Sequence, residues 1–211
     1  MKFKLLFSYR FLLFILSVLG VYLQLTKHGG FGMMLYYTIL SNMLVMFFMG
    51  DMVWRMVRGR STQAQDYLRM KGAVTMSIMI TCVIYHFMLA PLATPEKFYR
   101  LENFLCHYIV PLMFFFDTLV IDKAKQYRKL DPFLWTLIPL AYMLFALLNG
   151  LVLKWPIPGA KDSPFAYFFI NVNKYGWGFV GKWVVIIFIA YLLAGYVLYG
   201  IKNIKRKSAV S

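Results

Sequence analysis

Three side chains dominate the chemistry this sequence offers: the hydroxyl of Thr38 and the imidazoles of His86 and His107. All three lie in long apolar stretches. There a polar group is costly and usually turns toward a bundle interior or a water-filled cavity. A threonine hydroxyl is a weak nucleophile that needs an adjacent base, and a neutral imidazole is the usual base near pH 7. An acyl-transfer transition state also needs donors for its oxyanion, and Asn42, Asn103 and His86 are the candidates. Thr38 and Asn42 share a helix face, and Asn103, His107 and Pro111 succeed one another at the same four-residue interval. Asn103 is therefore placed to orient His107 or to bind an oxyanion. Pro111 removes a backbone hydrogen bond and bends its helix. Plainer roles stand beside these. A threonine in a membrane helix commonly bonds back to the carbonyl one turn earlier, and a membrane histidine often only bridges helices.

The elements that must position these groups follow from composition. The chain has 211 residues, 61% hydrophobic, 19% aromatic and only 15% charged, with a mean hydropathy of +0.65. A bilayer core about 30 Å thick requires about 20 apolar residues per helical span. Such stretches fall at about 7–25, 31–53, 72–91, 103–121, 133–153 and 181–201. The fold class expected is an all-α integral membrane protein, a single bundle of six transmembrane helices over residues 1–211. The connections read as Lys27 to Gly30, a basic loop from Arg55 to Lys71, a short link at Ala93 to Glu102, a basic loop from Asp122 to Pro132, and a long loop from Lys154 to Val180. The basic N-terminus resembles a signal peptide, but no small-residue cleavage site follows, so a retained first helix is expected.

The net charge of +15 does not call for nucleic acid, because the charges cluster at the ends of apolar segments. With the N-terminus on the cytoplasmic side, inner segments hold Lys2, Lys4, Arg10, Arg55, Arg58, Arg60, Arg69, Lys71, Lys123, Lys125, Arg128, Lys129, Lys202, Lys205, Arg206 and Lys207. Outer segments hold Lys27, Lys97, Arg100, Lys154, Lys161, Lys174 and Lys182. This bias places both termini in the cytoplasm and the chain in the cell membrane. Thr38, His86 and His107 then lie roughly 10, 7 and 6 Å below the outer ends of their helices, counting 1.5 Å per residue. Three separate segments thus bring a hydroxyl and two imidazoles to one layer.

Other features read more simply. Asp51 and Asp117 lie toward the inner ends of their helices, where arginines are at hand, and His28 is expected to be solvated. Cys82 and Cys106 lack metal or redox spacing and read as small packing residues. In the long loop, Phe165–Phe169 and Tyr175–Phe179 fit an interfacial aromatic belt or a lid over a lipid entrance. The halves of the chain do not look alike, which weighs against an inverted-repeat transporter.

The stretches Tyr36-Tyr-Thr-Ile-Leu-Ser-Asn42 and Asn103-Phe-Leu-Cys-His-Tyr-Ile-Val-Pro111 resemble the androgen-induced gene 1 family of multi-pass membrane hydrolases and its bacterial relatives. Trp135 to Tyr142 and Asn171 to Phe179 are similar to bacterial members. The resemblance implies a six-helix threonine hydrolase with Thr38 and His107 as the essential pair, no cofactor or metal, and fatty acid esters of hydroxy fatty acids as the substrate type. The function expected is therefore an intramembrane lipid ester hydrolase of the bacterial plasma membrane, drawing its substrate from the bilayer. Lys97, Arg100, Lys174 and Lys182 are candidates for meeting a substrate head group. Two other readings stand: a haem protein with His86 and His107 as axial ligands, and a small-solute transporter.

Overall fold

A computed structural model describes residues 3–160 and 163–203. Lys2, Lys161, Lys205, Arg206 and Lys207, part of the charge bias above, lie outside those residues. Six helices are long and apolar enough to cross a membrane: α1 (Phe3–His28), α2 (Tyr37–Val57), α3 (Gln65–Leu92), α4 (Leu101–Ile121), α5 (Asp131–Leu153) and α6 (Val172–Asn203). No strand forms among the described residues. Large apolar side chains stand exposed along the outer faces, among them Leu144 and Leu148 on α5 and Val185, Ile189, Leu193 and Val197 on α6. Such a surface suits lipid and would be a liability in water.

The tightest packing joins α1 to α4 around Leu13, Val45, Met49, Ile78, Val110 and Phe114. Helices α5 and α6 are the least buried of the six. They lean on that core through Trp135, Tyr191 and Leu198, and through the loop segment carrying Phe165, Tyr167 and Phe169.

Three helix starts differ markedly from those expected. Helix α2 begins at Tyr37 and not near residue 31, because Gly30–Leu35 forms a separate 3-10 turn, so Thr38 lies in the first turn of α2 and not deeper along it. Helix α3 begins at Gln65, so the residues up to Lys71 are helical and the loop after α2 is short. Polar residues at a helix start carry no hydropathy signal, which is why they read as loop. Helix α6 begins at Val172 and breaks at Gly176, whose φ of 76° and ψ of 164° interrupt an otherwise continuous helix. The long connection accordingly ends at Asn171.

Five-residue π-turns punctuate the helices at Tyr85–Leu89 in α3, Leu105–Ile109 and Asp117–Ile121 in α4, and Asn149–Leu153 in α5. Two of them run into prolines, Pro91 and Pro111. A proline lacks the N–H that would bond the carbonyl one α-turn earlier, and a wider turn is one way for the chain to accommodate it.

At the end of the bundle opposite Thr38, Arg10, Lys71 and Asp117 are fully buried. Arg10 donates from Nε to Asp117 Oδ2 at 3.0 Å and from Nη2 to Asp117 Oδ1 at 3.1 Å. Lys71 pairs with Asp117 and with Asp122, the latter at 2.7 Å. Lys202 donates to the carbonyls of Thr118 and Asp122 at 2.8 and 2.7 Å. Asp51 pairs with Arg55 at 2.6 Å on α2. Asp51 and Asp117 thus take basic partners. His28 does not simply face solvent: its Nε2 lies 2.9 Å from buried Glu102, joining the end of α1 to the start of α4.

Candidate active site

Thr38 occupies the first turn of α2, and His107 sits inside the π-turn of α4. The two meet: Thr38 Oγ1 lies 3.3 Å from His107 Nε2. Thr38 is half-buried and His107 is 7% exposed. The ring's other nitrogen fixes its tautomer. His107 Nδ1 is 3.0 Å from the Asn103 carbonyl oxygen, which can only accept, so Nδ1 carries the proton and Nε2 presents a lone pair to the hydroxyl. Tyr85 stacks on the imidazole with ring centroids 3.7 Å apart and planes tilted by 22°. The Asn103 amide holds that tyrosine in place, donating to Tyr85 Oη at 2.7 Å and to the Phe98 carbonyl at 2.8 Å. Thr38 does not bond back along its own helix. It lies at the helix start, where the preceding turn is a separate 3-10 segment, Gly30–Leu35.

The oxyanion candidates fall elsewhere. Asn42 Nδ2 donates to the Thr38 and Cys106 carbonyls at 2.8 and 3.0 Å, which clamps α2 to the π-turn of α4. Asn103 serves His107 through its main chain, and its side chain turns to Tyr85. His86 is exposed on the outer face, with Nδ1 3.2 Å from Tyr108 Oη. His86 is thus exposed whereas His107 is buried. Lys97, Arg100, Lys174 and Lys182 are all exposed, and none lines the cavity described below.

A residue not singled out by the sequence completes the arrangement. Tyr167, in the connection between α5 and α6, folds back into the bundle. Its hydroxyl lies 3.4 Å from the Thr38 N–H, which donates to it, and 3.5 Å from Thr38 Oγ1. Tyr36, at the N-cap of α2, provides no side-chain cap, so the Thr38 N–H takes the Tyr167 hydroxyl as its partner at the positive end of the helix dipole. Burial pushes the Tyr167 hydroxyl above its ordinary range, so it keeps its proton and remains a donor. The loop is seated firmly. Tyr36 Oη donates to the Pro158 carbonyl at 2.6 Å, Asn149 Nδ2 donates to the Pro164 carbonyl at 3.3 Å, and the Phe165 ring lies directly over Gly150. The stretch expected as an aromatic belt or lid divides in two: Phe165, Tyr167 and Phe169 are buried, and Tyr175 and Trp177 are exposed.

An apolar cavity opens beside this group. It encloses about 850 Å³ of atom-free space, counting its open side, between α2, α3, α5, α6 and the returning loop. Thr38, Tyr85 and Tyr167 form part of its wall, and no charged side chain lines it. Among the described residues no group of three metal-ligating side chains occurs. The arrangement offers a hydroxyl and a phenol donor in the wall of an apolar chamber, with a base of fixed tautomer behind the hydroxyl. Compared with known proteins, the chain matches no family model, no curated sequence and no solved structure.

Proposed function

We propose that this protein is an intramembrane hydrolase of lipid carboxylic esters, with Thr38 as nucleophile and His107 as general base and acid. The observation that carries the reading is the 3.3 Å approach of Thr38 Oγ1 to His107 Nε2 at the wall of an uncharged cavity, between side chains 69 positions apart in the chain. The likeness of the Tyr36–Asn42 and Asn103–Pro111 stretches to the androgen-induced gene 1 family supports it, and suggests fatty acid esters of hydroxy fatty acids as substrates. On the topology favoured by the basic clusters, the site lies in the outer layer of a bacterial plasma membrane. A carboxylate on the leaving half of the substrate would then meet Lys97, Arg100, Lys174 or Lys182 at the rim.

The steps balance without a cofactor. Thr38 Oγ attacks the ester carbonyl carbon as its proton passes to His107 Nε2. The carbonyl oxygen becomes an oxyanion, held by the Tyr167 O–H and the Thr38 N–H at the positive end of α2. Collapse expels the alcohol oxygen, which takes the proton from His107, and leaves an acyl-threonine. Water attacks that ester, gives a proton to His107, and the acid departs as Thr38 regains its hydrogen. The resting distances are long for hydrogen bonds, as is common before substrate closes a site.

The test is labelling of the detergent-purified protein with a fluorophosphonate, the modified residue being located by mass spectrometry. An adduct on Thr38 that is lost in both Thr38→Ala and His107→Ala is expected, with ester turnover reduced about a thousandfold or more in each. Labelling that persists in both variants, or its absence from the parent, would sink the reading.

A further inference from the structure

From the cavity beside Thr38 we infer that it is the acyl subsite, taking a single unbranched, uncharged acyl chain of medium length, while the alcohol half of the ester stays outside. This rests on the hydrolase reading. The lining selects for such a ligand by what its polar atoms already do. The hydroxyls of Tyr37, Thr81, Thr136, Tyr142 and Tyr191 are each held by a protein partner, at distances from 2.7 to 3.1 Å. The loosest polar contacts are those of Thr38 and Tyr167, at 3.3 to 3.5 Å. A ligand that fits therefore has one polar function at the Thr38 end and an apolar body beyond it. An ionised group in the body would be buried with no partner, which disfavours it strongly.

Depth sets chain length. Along α5 the cavity runs from Tyr142, beside the head of α2, to Thr136, and along α6 from Val184 to Tyr191. These are roughly 9 and 10 Å at about 1.5 Å per helical residue. An extended chain with C–C bonds of about 1.5 Å advances slightly less than that per carbon, so the chamber holds about eight carbons. Ile187 stands midway along the α6 wall, and Phe188 lies one turn before Tyr191 at the floor.

The test measures turnover of p-nitrophenyl esters from acetyl to palmitoyl by the parent, Ile187→Trp and Phe188→Ala. In parallel, a diazirine-bearing fatty acid is photo-crosslinked to each. Parent kcat/KM is expected to climb to about octanoyl and gain nothing beyond. Ile187→Trp should lose about tenfold more on octanoyl than on acetyl esters and lose crosslinking to α6. Phe188→Ala should move the optimum to longer chains, which keeps the idea testable if the tryptophan variant fails to fold. Variants that change all chain lengths by the same factor, with intact Thr38-dependent turnover, would overturn the subsite alone. Crosslinking in the cavity without ester turnover by the parent would overturn the hydrolase reading and leave the cavity a seat for a membrane lipid tail.

Discussion

His107 is oriented by a main-chain carbonyl where many hydrolytic sites place a carboxylate. Substitution at Asn103 cannot remove that contact. Asn103→Ala frees Tyr85 and lowers ester turnover only modestly, about tenfold, whereas an oxyanion role for the amide would cost about a hundredfold or more. Steady-state kinetics separate the two outcomes. Tyr167 is the donor this geometry favours. Tyr167→Phe is expected to lower kcat about a hundredfold with little change in KM, while Thr38 still labels, more slowly. Unchanged kcat would remove Tyr167 from the chemistry. The Thr38–His107 meeting was legible because polar residues in the apolar spans are few and counting along the chain puts them in one outer layer, although α2 begins at Tyr37 and not near residue 31. His86 shows the limit of that counting. Depth does not give direction around a helix, and the π-turn that holds His86 shifts the face it presents. Tyr167 was not legible: it is one tyrosine in an aperiodic aromatic loop, 129 positions from its partner.

The elements that aim these residues depart from ideal helices where the site requires it. The π-turn at Leu105–Ile109 is where α4 carries His107, and such bulges recur at functional positions. Pro111 announced a disturbance, but a bend and a widened turn look alike in sequence. A second aiming device is the close seat of the α5–α6 connection on Gly150. A Cβ there would lie 2.1 Å from the Phe165 ring, and that ring is 2% exposed, with little room to retreat. Gly150→Ala is therefore expected to lift the loop and its tyrosine together. Turnover should fall about as far as in Tyr167→Phe, while circular dichroism and the Thr38–His107 pair are preserved. Normal turnover in Gly150→Ala would show that the loop's seat does not matter. The spans themselves were readable from hydropathy. The starts of α2, α3 and α6 were not, because the 3-10 turn before α2 is as apolar as a span, while the first residues of α3 and α6 are largely polar, glycine or aromatic.

Across the whole molecule, the buried ion cluster ties α1, α3, α4 and α6 together far from Thr38. Arg10 and Lys71 read in sequence as topological charges, yet both are fully buried on Asp117. Removing one member strands the others without water. Asp117→Asn is expected to cost about 3–5 kcal/mol, seen as a lower melting temperature in detergent, with Thr38 labelling intact below that temperature. Replacing Arg10 and Asp117 together by apolar residues of similar volume should cost less. A melting temperature unmoved by Asp117→Asn would show that the cluster is not structural. The packing is also uneven. Helices α1 to α4 form the dense part and hold Thr38 and His107, whereas α5, α6 and their connection are lightly packed and supply most of the chamber wall. On the proposed hydrolase function, reactivity and selectivity would reside in different portions of the chain. Substitutions in the second portion can alter which lipid fits without disturbing the first, so preference for substrate is the trait this scaffold leaves most open to evolutionary drift.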